Sequence, residues 1–215
     1  MRNFEQLYRG IITEQDRDIH KIGIFPGAFK PPHTGHFHTA LDACKACDEV
    51  YIFISTKSRE LTTQNVAGGP EAPDSARYKN LIHGDKFTNN IFSVTTAGVA
   101  RMTSASAMRA AISIKDKHTI FENLPEGSDK EAIFNILMYS NDISNDQYGH
   151  ISADQAVEIW RQYLPLLISG SDLSEDRINI KLSPASPVRD TYELVDSINN
   201  SEIADRTAIR LYVGE

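Results

Sequence analysis

Cysteine is scarce in this sequence. Its 215 residues hold two, Cys44 and Cys47. They form one CxxC spacing within a helical pattern, with no second pair and no neighbouring His/Cys cluster. A structural zinc centre needs about four ligands, so the pair reads as plain reduced thiols. Long apolar runs are missing as well. No stretch approaches the roughly 18 residues of a membrane span, and Met1–Gln15 lacks the apolar centre of a signal peptide. These absences predict a cytoplasmic protein with no membrane partner. Cations are in the minority: 22 Lys and Arg stand against 29 Asp and Glu, a net charge of -7. That balance argues against a nucleic-acid footprint but leaves room for a small basic site that takes phosphates. No internal repeat or low-complexity run is visible.

What is present is ordinary globular material. Hydrophobic residues make up 40% and charged residues 24%, enough to bury a core without metal or disulfide support. Phe4 to Thr13 has helical spacing and predicts a leading arm over residues 1–20. Lys21–Phe25 reads as a buried strand closed by Pro26-Gly27. Gly35–Ala46 reads as a helix, and Glu49–Ser55 as a strand of the near-continuous apolar kind found in parallel sheets. Together they make a βαβ unit. Leu61–Ser75 reads as a loop and Ile91–Thr95 as a strand. Helices are expected at Ser104–Ile114, Ile120–Leu124 and Asp129–Met138. Asn141–Gly149 reads as a polar linker. The chain then continues with a helix at Ser152–Leu164, in which Trp160 reads as core. A strand at Ile178–Leu182, a helix at Val188–Ile198 and a strand at Ala208–Val213 follow. Alternating strands and helices predict an α/β fold, a Rossmann-like parallel sheet with flanking helices. Residues 21–215 are expected to form one domain.

Ligands of open α/β sheets sit at the carboxyl ends of the strands. Gly27-Ala-Phe-Lys-Pro-Pro-His33-Thr-Gly-His36 occupies that place after the first strand. Gly27 allows close approach of backbone to phosphate, and Gly35 lets the next helix begin near the ligand. That helix start is expected to offer unpaired N–H groups and a positive dipole end. His33 and His36, three apart, are expected to share a face of its first turn and to stabilise charge growing on a phosphate.

This segment resembles the signature Gly-x-Phe-x-Pro-x-His-x-Gly-His of the nucleotidylyltransferase superfamily, whose members include cytidylyltransferases and adenylyltransferases. The wording around it looks like versions carried by large bacteriophages, which would place the protein in the host cytoplasm. The resemblance implies that His33 and His36 contact the NTP phosphates. Lys30, inside the motif, is a further candidate for catalysis, and Gly27, Ala28, Phe29 and Gly35 for phosphate binding. Many relatives carry a hydroxyl where Ala28-Phe29 stands, so that contact is missing here. A second family signature, Ile-Ser-x-Thr-x-x-Arg, resembles Thr103-Ser104-Ala105-Ser106-Ala107-Met108-Arg109, with Thr103 and Ala105 as departures. It implies that Ser104, Ser106 and Arg109 hold the β- and γ-phosphates, as hydroxyls and a bidentate guanidinium at a helix start can. Mg²⁺ on the triphosphate is implied as well, with no metal site of the protein's own.

The implied partners are an NTP and a phosphorylated small-molecule acceptor. Adenylyl transfer is favoured over cytidylyl transfer, for instance to nicotinamide mononucleotide. The competing reading is a nucleotide-binding module without turnover. Lys57 and Arg59, after the second strand, are candidates for substrate contact, with solvated loop charges as the alternative. Arg189 is another, with a surface ion pair as the alternative. Gly214 is a fourth, with a frayed end as the alternative. In relatives the Ser/Arg turn ends the domain, whereas here residues 151–215 follow it. They read as a transposed βα block that completes the sheet, either this chain's own or that of a second protomer. The oligomeric state stays open, a homo-oligomer included.

Overall fold

The computed structural model describes residues 19–57, 59–60, 74–98, 105–139 and 150–213. The expected arm before residue 19, the loop at 61–73, Ser104, the linker at 141–149 and Gly214 lie outside them.

β1 (His20–Gly27) runs past the expected stop at Pro26. Its ladder to β2 (Glu49–Ser55) still pairs Pro26 with Phe53 and Gly27 with Ile54. The ladder on its other side ends at Ile24, so the missing N–H of Pro26 interrupts no pairing there. Between them lies α1 (Thr34–Ala46). The short β3 (Arg59–Glu60) comes next. Asp74–Tyr78 forms a 3₁₀ turn, followed by α2 (Lys79–His83) and α3 (Asp85–Thr88). These short helices carry no long apolar period and are invisible to pattern reading.

The strand expected at Ile91–Thr95 is β4, Ser93–Gly98. Its apparent first residues belong to the approach. The Ile91 N–H closes a turn on the Thr88 carbonyl at 3.3 Å, and Phe92 N–H reaches the carbonyls of Ala204 and Thr207, both at 3.1 Å. Next come α4 (Ala105–Ser113), α5 (Lys117–Glu122), which starts earlier than expected, and α6 (Lys130–Tyr139). Asp116 sets the start of α5 by accepting from the Thr119 N–H. β5 (His150–Ile151) pairs antiparallel with β3, which puts the backbone of Arg59 in a two-stranded ladder rather than a loop.

α7 (Ala153–Ser169) begins with a capping box. Ser152 Oγ accepts from the Gln155 N–H at 3.1 Å, and Gln155 Oε1 accepts from the Ser152 N–H at 2.8 Å. It continues through Pro165, beyond its expected end. β6 (Ile178–Ser183), α8 (Pro187–Asn199) and β7 (Thr207–Val213) complete the chain. α8 opens with Ser186 accepting from the Arg189 N–H and with proline in its first turn.

Five strands form one parallel sheet in the order β4-β7-β1-β2-β6. The pairings of β6 and β7 are made within this chain. One face carries α1, α4, α5, α6 and α7 over Phe25, Ile52, Ile54 and Tyr212. The other carries α8 and the 74–88 segment over Ile22, Ile24, Phe53, Ile209 and Leu211. Leaving β1 the chain turns to the first face; leaving β6 it turns to the second. Such a change of side opens a crevice at the carboxyl ends of the central strands. No helix among the described residues is long and apolar enough to cross a membrane.

Candidate functional site

The loop after β1 is built around an aromatic wedge. Phe29 has φ 48, the left-handed region, and is 4% exposed. This turns its ring back under the strand, against Phe25 at 4.7 Å and Trp160 at 5.5 Å between centroids. A Cβ on Gly27 would meet the Phe29 ring at 2.6 Å, so glycine is required there by the protein's own side chain. Phe29 thus serves the loop's shape. Burial of that wedge in the core offsets the local strain.

His33 is the N-cap of α1, with extended backbone at φ -135 and ψ 177, rather than a member of the first turn. Its Nδ1 accepts from the Gly35 N–H at 3.2 Å. His36, at the third helical position, returns the contact: its Nδ1 accepts from the His33 N–H at 3.3 Å. The two rings stack, with centroids 3.8 Å apart and planes 26° apart. They are therefore adjacent, as expected, but through a capping box instead of a shared helical face. With each Nδ1 accepting, the neutral rings carry their protons on Nε2. The site presents two N–H donors side by side.

The helix start differs from expectation in another respect. The Thr34 N–H donates to the Asn123 carbonyl at 2.9 Å, and the Gly35 N–H is taken by His33. These amides are used internally, because a helix start packed against α5 must satisfy its donors within the protein. An anion at this end would meet imidazole N–H groups and the dipole rather than those two amides.

Charge around the site is unevenly held. Burial, then the nearby Arg109 charge, lower the His33 pKa to about 4. His36 is pushed well below its ordinary value by burial and then by His33. Both rings are neutral at neutral pH. The cations are Arg109 and Lys30. Arg109, on α4, donates from Nη1 to the Lys30 carbonyl at 3.3 Å and from Nη2 to Ser106 Oγ at 3.0 Å. Lys30 is 2% exposed, and its ammonium donates to the Lys57 carbonyl. The structure thereby brings together Gly27, Lys30, His33, Gly35, His36, Ser106 and Arg109.

Other candidates fall elsewhere. Lys57 contributes its carbonyl to Lys30 while its side chain is exposed. Arg189 does not join the site. Its side chain is 68% exposed and pairs with Glu193 at 2.6 Å, the i,i+4 surface pair that was its alternative reading. The Arg59 side chain, Ser104 and Gly214 lie outside what is described. Sequence reasoning missed Tyr163, whose hydroxyl donates to the Pro32 carbonyl at 3.3 Å from 131 residues away. It also missed Asn123. Neither is signalled locally, since both act through backbone atoms of a distant loop.

The model of the family described as cytidylyltransferase-like matches residues 24–163, which include the histidine pair, Arg109 and Tyr163. The trifunctional NAD biosynthesis/regulator protein NadR of Escherichia coli (strain K12) is 33% identical over 94 residues, 42% of this chain. That stretch covers 22% of NadR, so the likeness spans about a fifth of the relative's length. No solved structure matches. A family match over most of the chain, on a parallel Rossmann-like sheet with the paired histidines at its switch point, places this chain in the cytidylyltransferase-like family of nucleotidyltransferases.

Proposed function

We propose that this protein transfers a nucleoside monophosphate, adenylyl in preference to cytidylyl, from an NTP to the phosphate of a small molecule. An oxygen of the acceptor phosphate attacks the α-phosphorus. The bond from that phosphorus to the bridging oxygen breaks, and pyrophosphate leaves with the electron pair. The observation that carries this reading is the stacked His33–His36 pair, whose Nδ1 atoms are both occupied by backbone N–H groups. Two fixed Nε2–H donors suit negative charge that grows on non-bridging oxygens in the transition state. They suit acid–base or nucleophilic work poorly, because their lone pairs are engaged. Arg109 and Lys30 supply charge for the triphosphate.

Mg²⁺ belongs in this scheme as part of the substrate. Among the described residues no cluster of three or more His, Cys, Asp or Glu could hold a metal ion. The ligands we assign to Mg²⁺ are phosphate oxygens and water, its ordinary mode with nucleotides. Adenylyl transfer is supported by the likeness to a protein named for NAD biosynthesis, and nicotinamide mononucleotide is the first acceptor to try. We further propose that residues 21–215 work as one domain, with 151–215 a transposed block, since β7 pairs with both β1 and β4.

The test is pyrophosphate release with ATP or CTP, with Mg²⁺, across a panel of phosphorylated acceptors. Release with ATP and one acceptor is expected. Release with CTP alone would replace adenylyl by cytidylyl transfer. No release with any pair, together with retained NTP binding, would favour a binding module. Arg109→Ala should weaken NTP binding by about tenfold or more, the worth of a charge-assisted bond; unchanged affinity by calorimetry would remove it from the triphosphate site.

A further inference from the structure

We propose that Tyr163, on α7, is a positioning residue for His36, acting through the Pro32–His33 peptide. The proposal rests on the reading of His36 as a phosphate-facing N–H donor. The peptide joining Pro32 to His33 is gripped at both ends. Its carbonyl accepts from the Tyr163 hydroxyl at 3.3 Å, and its N–H donates to His36 Nδ1 at 3.3 Å. A peptide group is planar and stiff. Fixing its carbonyl therefore fixes the direction of its N–H, and with it the ring that receives that N–H. Hydrogen bonds on the two sides of one amide also polarise each other in the same sense. At 3.3 Å the tyrosine contact is long for a bond between two oxygens, so its main effect is on orientation.

The surroundings leave the hydroxyl little freedom to act otherwise. Tyr163 is fully buried. Its ring stands edge-on to Phe37 at 5.7 Å and to Trp160 at 5.7 Å. Trp160 in turn meets Phe29 at 5.5 Å, and Phe29 meets His36 at 5.1 Å. α7 thus reaches His36 by two routes, one through a peptide and one through rings packed edge to face. Burial holds the phenol above its ordinary pKa, so it remains a donor at neutral pH. His33 provides an internal control. Its Nδ1 takes the Gly35 N–H, a bond in which the Pro32 carbonyl has no part.

The experiment compares wild type and Tyr163→Phe by ¹⁵N NMR of the histidine rings at neutral pH, without substrate. In wild type both rings are expected to carry the proton on Nε2. In Tyr163→Phe, His36 alone should gain Nδ1-protonated population while His33 stays unchanged. With a productive substrate pair, kcat should fall about threefold to tenfold, and KM for the NTP should stay within about twofold. A wild-type His36 protonated on Nδ1, an unchanged His36 in the variant, or both rings shifting together would overturn the proposal. Should the variant not fold, the wild-type chain made with 3-fluorotyrosine decides the matter. Its more acidic hydroxyl should move the His36 Nδ1 resonance and spare that of His33; an unmoved His36 overturns the idea. Absence of turnover with every substrate pair counts against nucleotidyl transfer alone, because the ring signals are read without it.

Discussion

His33 caps a helix and faces the site with the same ring, and the two duties can be separated by substitution. Asparagine is as good a cap as any residue, so His33→Asn keeps an acceptor for the Gly35 N–H while removing the titrating group. The folded-state pKa is about 4, below the ordinary 6.5. Between those values the unfolded chain binds the proton and the folded chain does not. Stability is therefore complete above pH 6.5 and falls as the pH drops towards 4. From His33 alone the loss is on the order of 3 kcal/mol. Urea midpoints between those pH values should fall steeply for wild type and less steeply for His33→Asn. Equal slopes would contradict the assignment. His36→Ala should behave differently. On the proposed function it removes one donor to the transferring phosphate, and turnover should fall by about 10² to 10³. Stability should fall by only about 1 kcal/mol, from the lost half of the capping box. A near-wild-type rate would remove His36 from the chemistry.

At the scale of elements, two serines at the termini of secondary structure make opposite forecasts. Ser152 caps α7, and its loss to alanine should cost about 1 kcal/mol. Because α7 supports the motif through Trp160 and Tyr163 and not through its first turn, NTP affinity should be unchanged. Ser183 ends β6, fully buried, and its hydroxyl has no hydrogen-bond partner among the described residues. An orphan buried hydroxyl costs about 1–3 kcal/mol, so Ser183→Ala should leave thermal stability unchanged or raise it. A clear loss there would reveal a partner for the hydroxyl. The CxxC pair belongs at this scale as well. Cys44 and Cys47 close α1 from within the core, and burial raises both thiols, Cys44 to about 12. Thiol reagents should be inert towards them until the protein unfolds.

At the scale of the molecule, the sheet depends on its last strand. The family match ends at residue 163, before β6, α8 and β7. Yet β7 lies between β1 and β4, and its removal would leave β4 with no partner in the sheet. α8 covers β1 and β2 on the face opposite α1. A chain cut after Ser169 should show no cooperative thermal transition and no NTP-dependent shift. Cooperative melting of that fragment would mean that the fold does without β6 and β7.

Much of this architecture was legible in the residues themselves. The runs at 21–25 and 49–55 read as strands because a strand buried on both faces has no polar alternative. The glycines and histidines of 27–36 marked the loop after the first strand as the candidate site through local spacing. What stayed hidden was everything fixed by contacts between distant segments. Nothing near Ile91 marks its strand as starting two residues later, since the carbonyls of Ala204 and Thr207 decide it. Nothing beside His33 tells that it caps the helix rather than joining it, that Asn123 takes the Thr34 N–H, or that Tyr163 holds the Pro32 carbonyl. Periodicity records which face a residue turns inward, and that is a local property. Which atom it meets there depends on how the sheet stacks its layers. The sequence determined the elements and the spacing of the histidine pair, and only the tertiary structure decided which atoms the two rings meet, because those contacts join segments far apart in the chain.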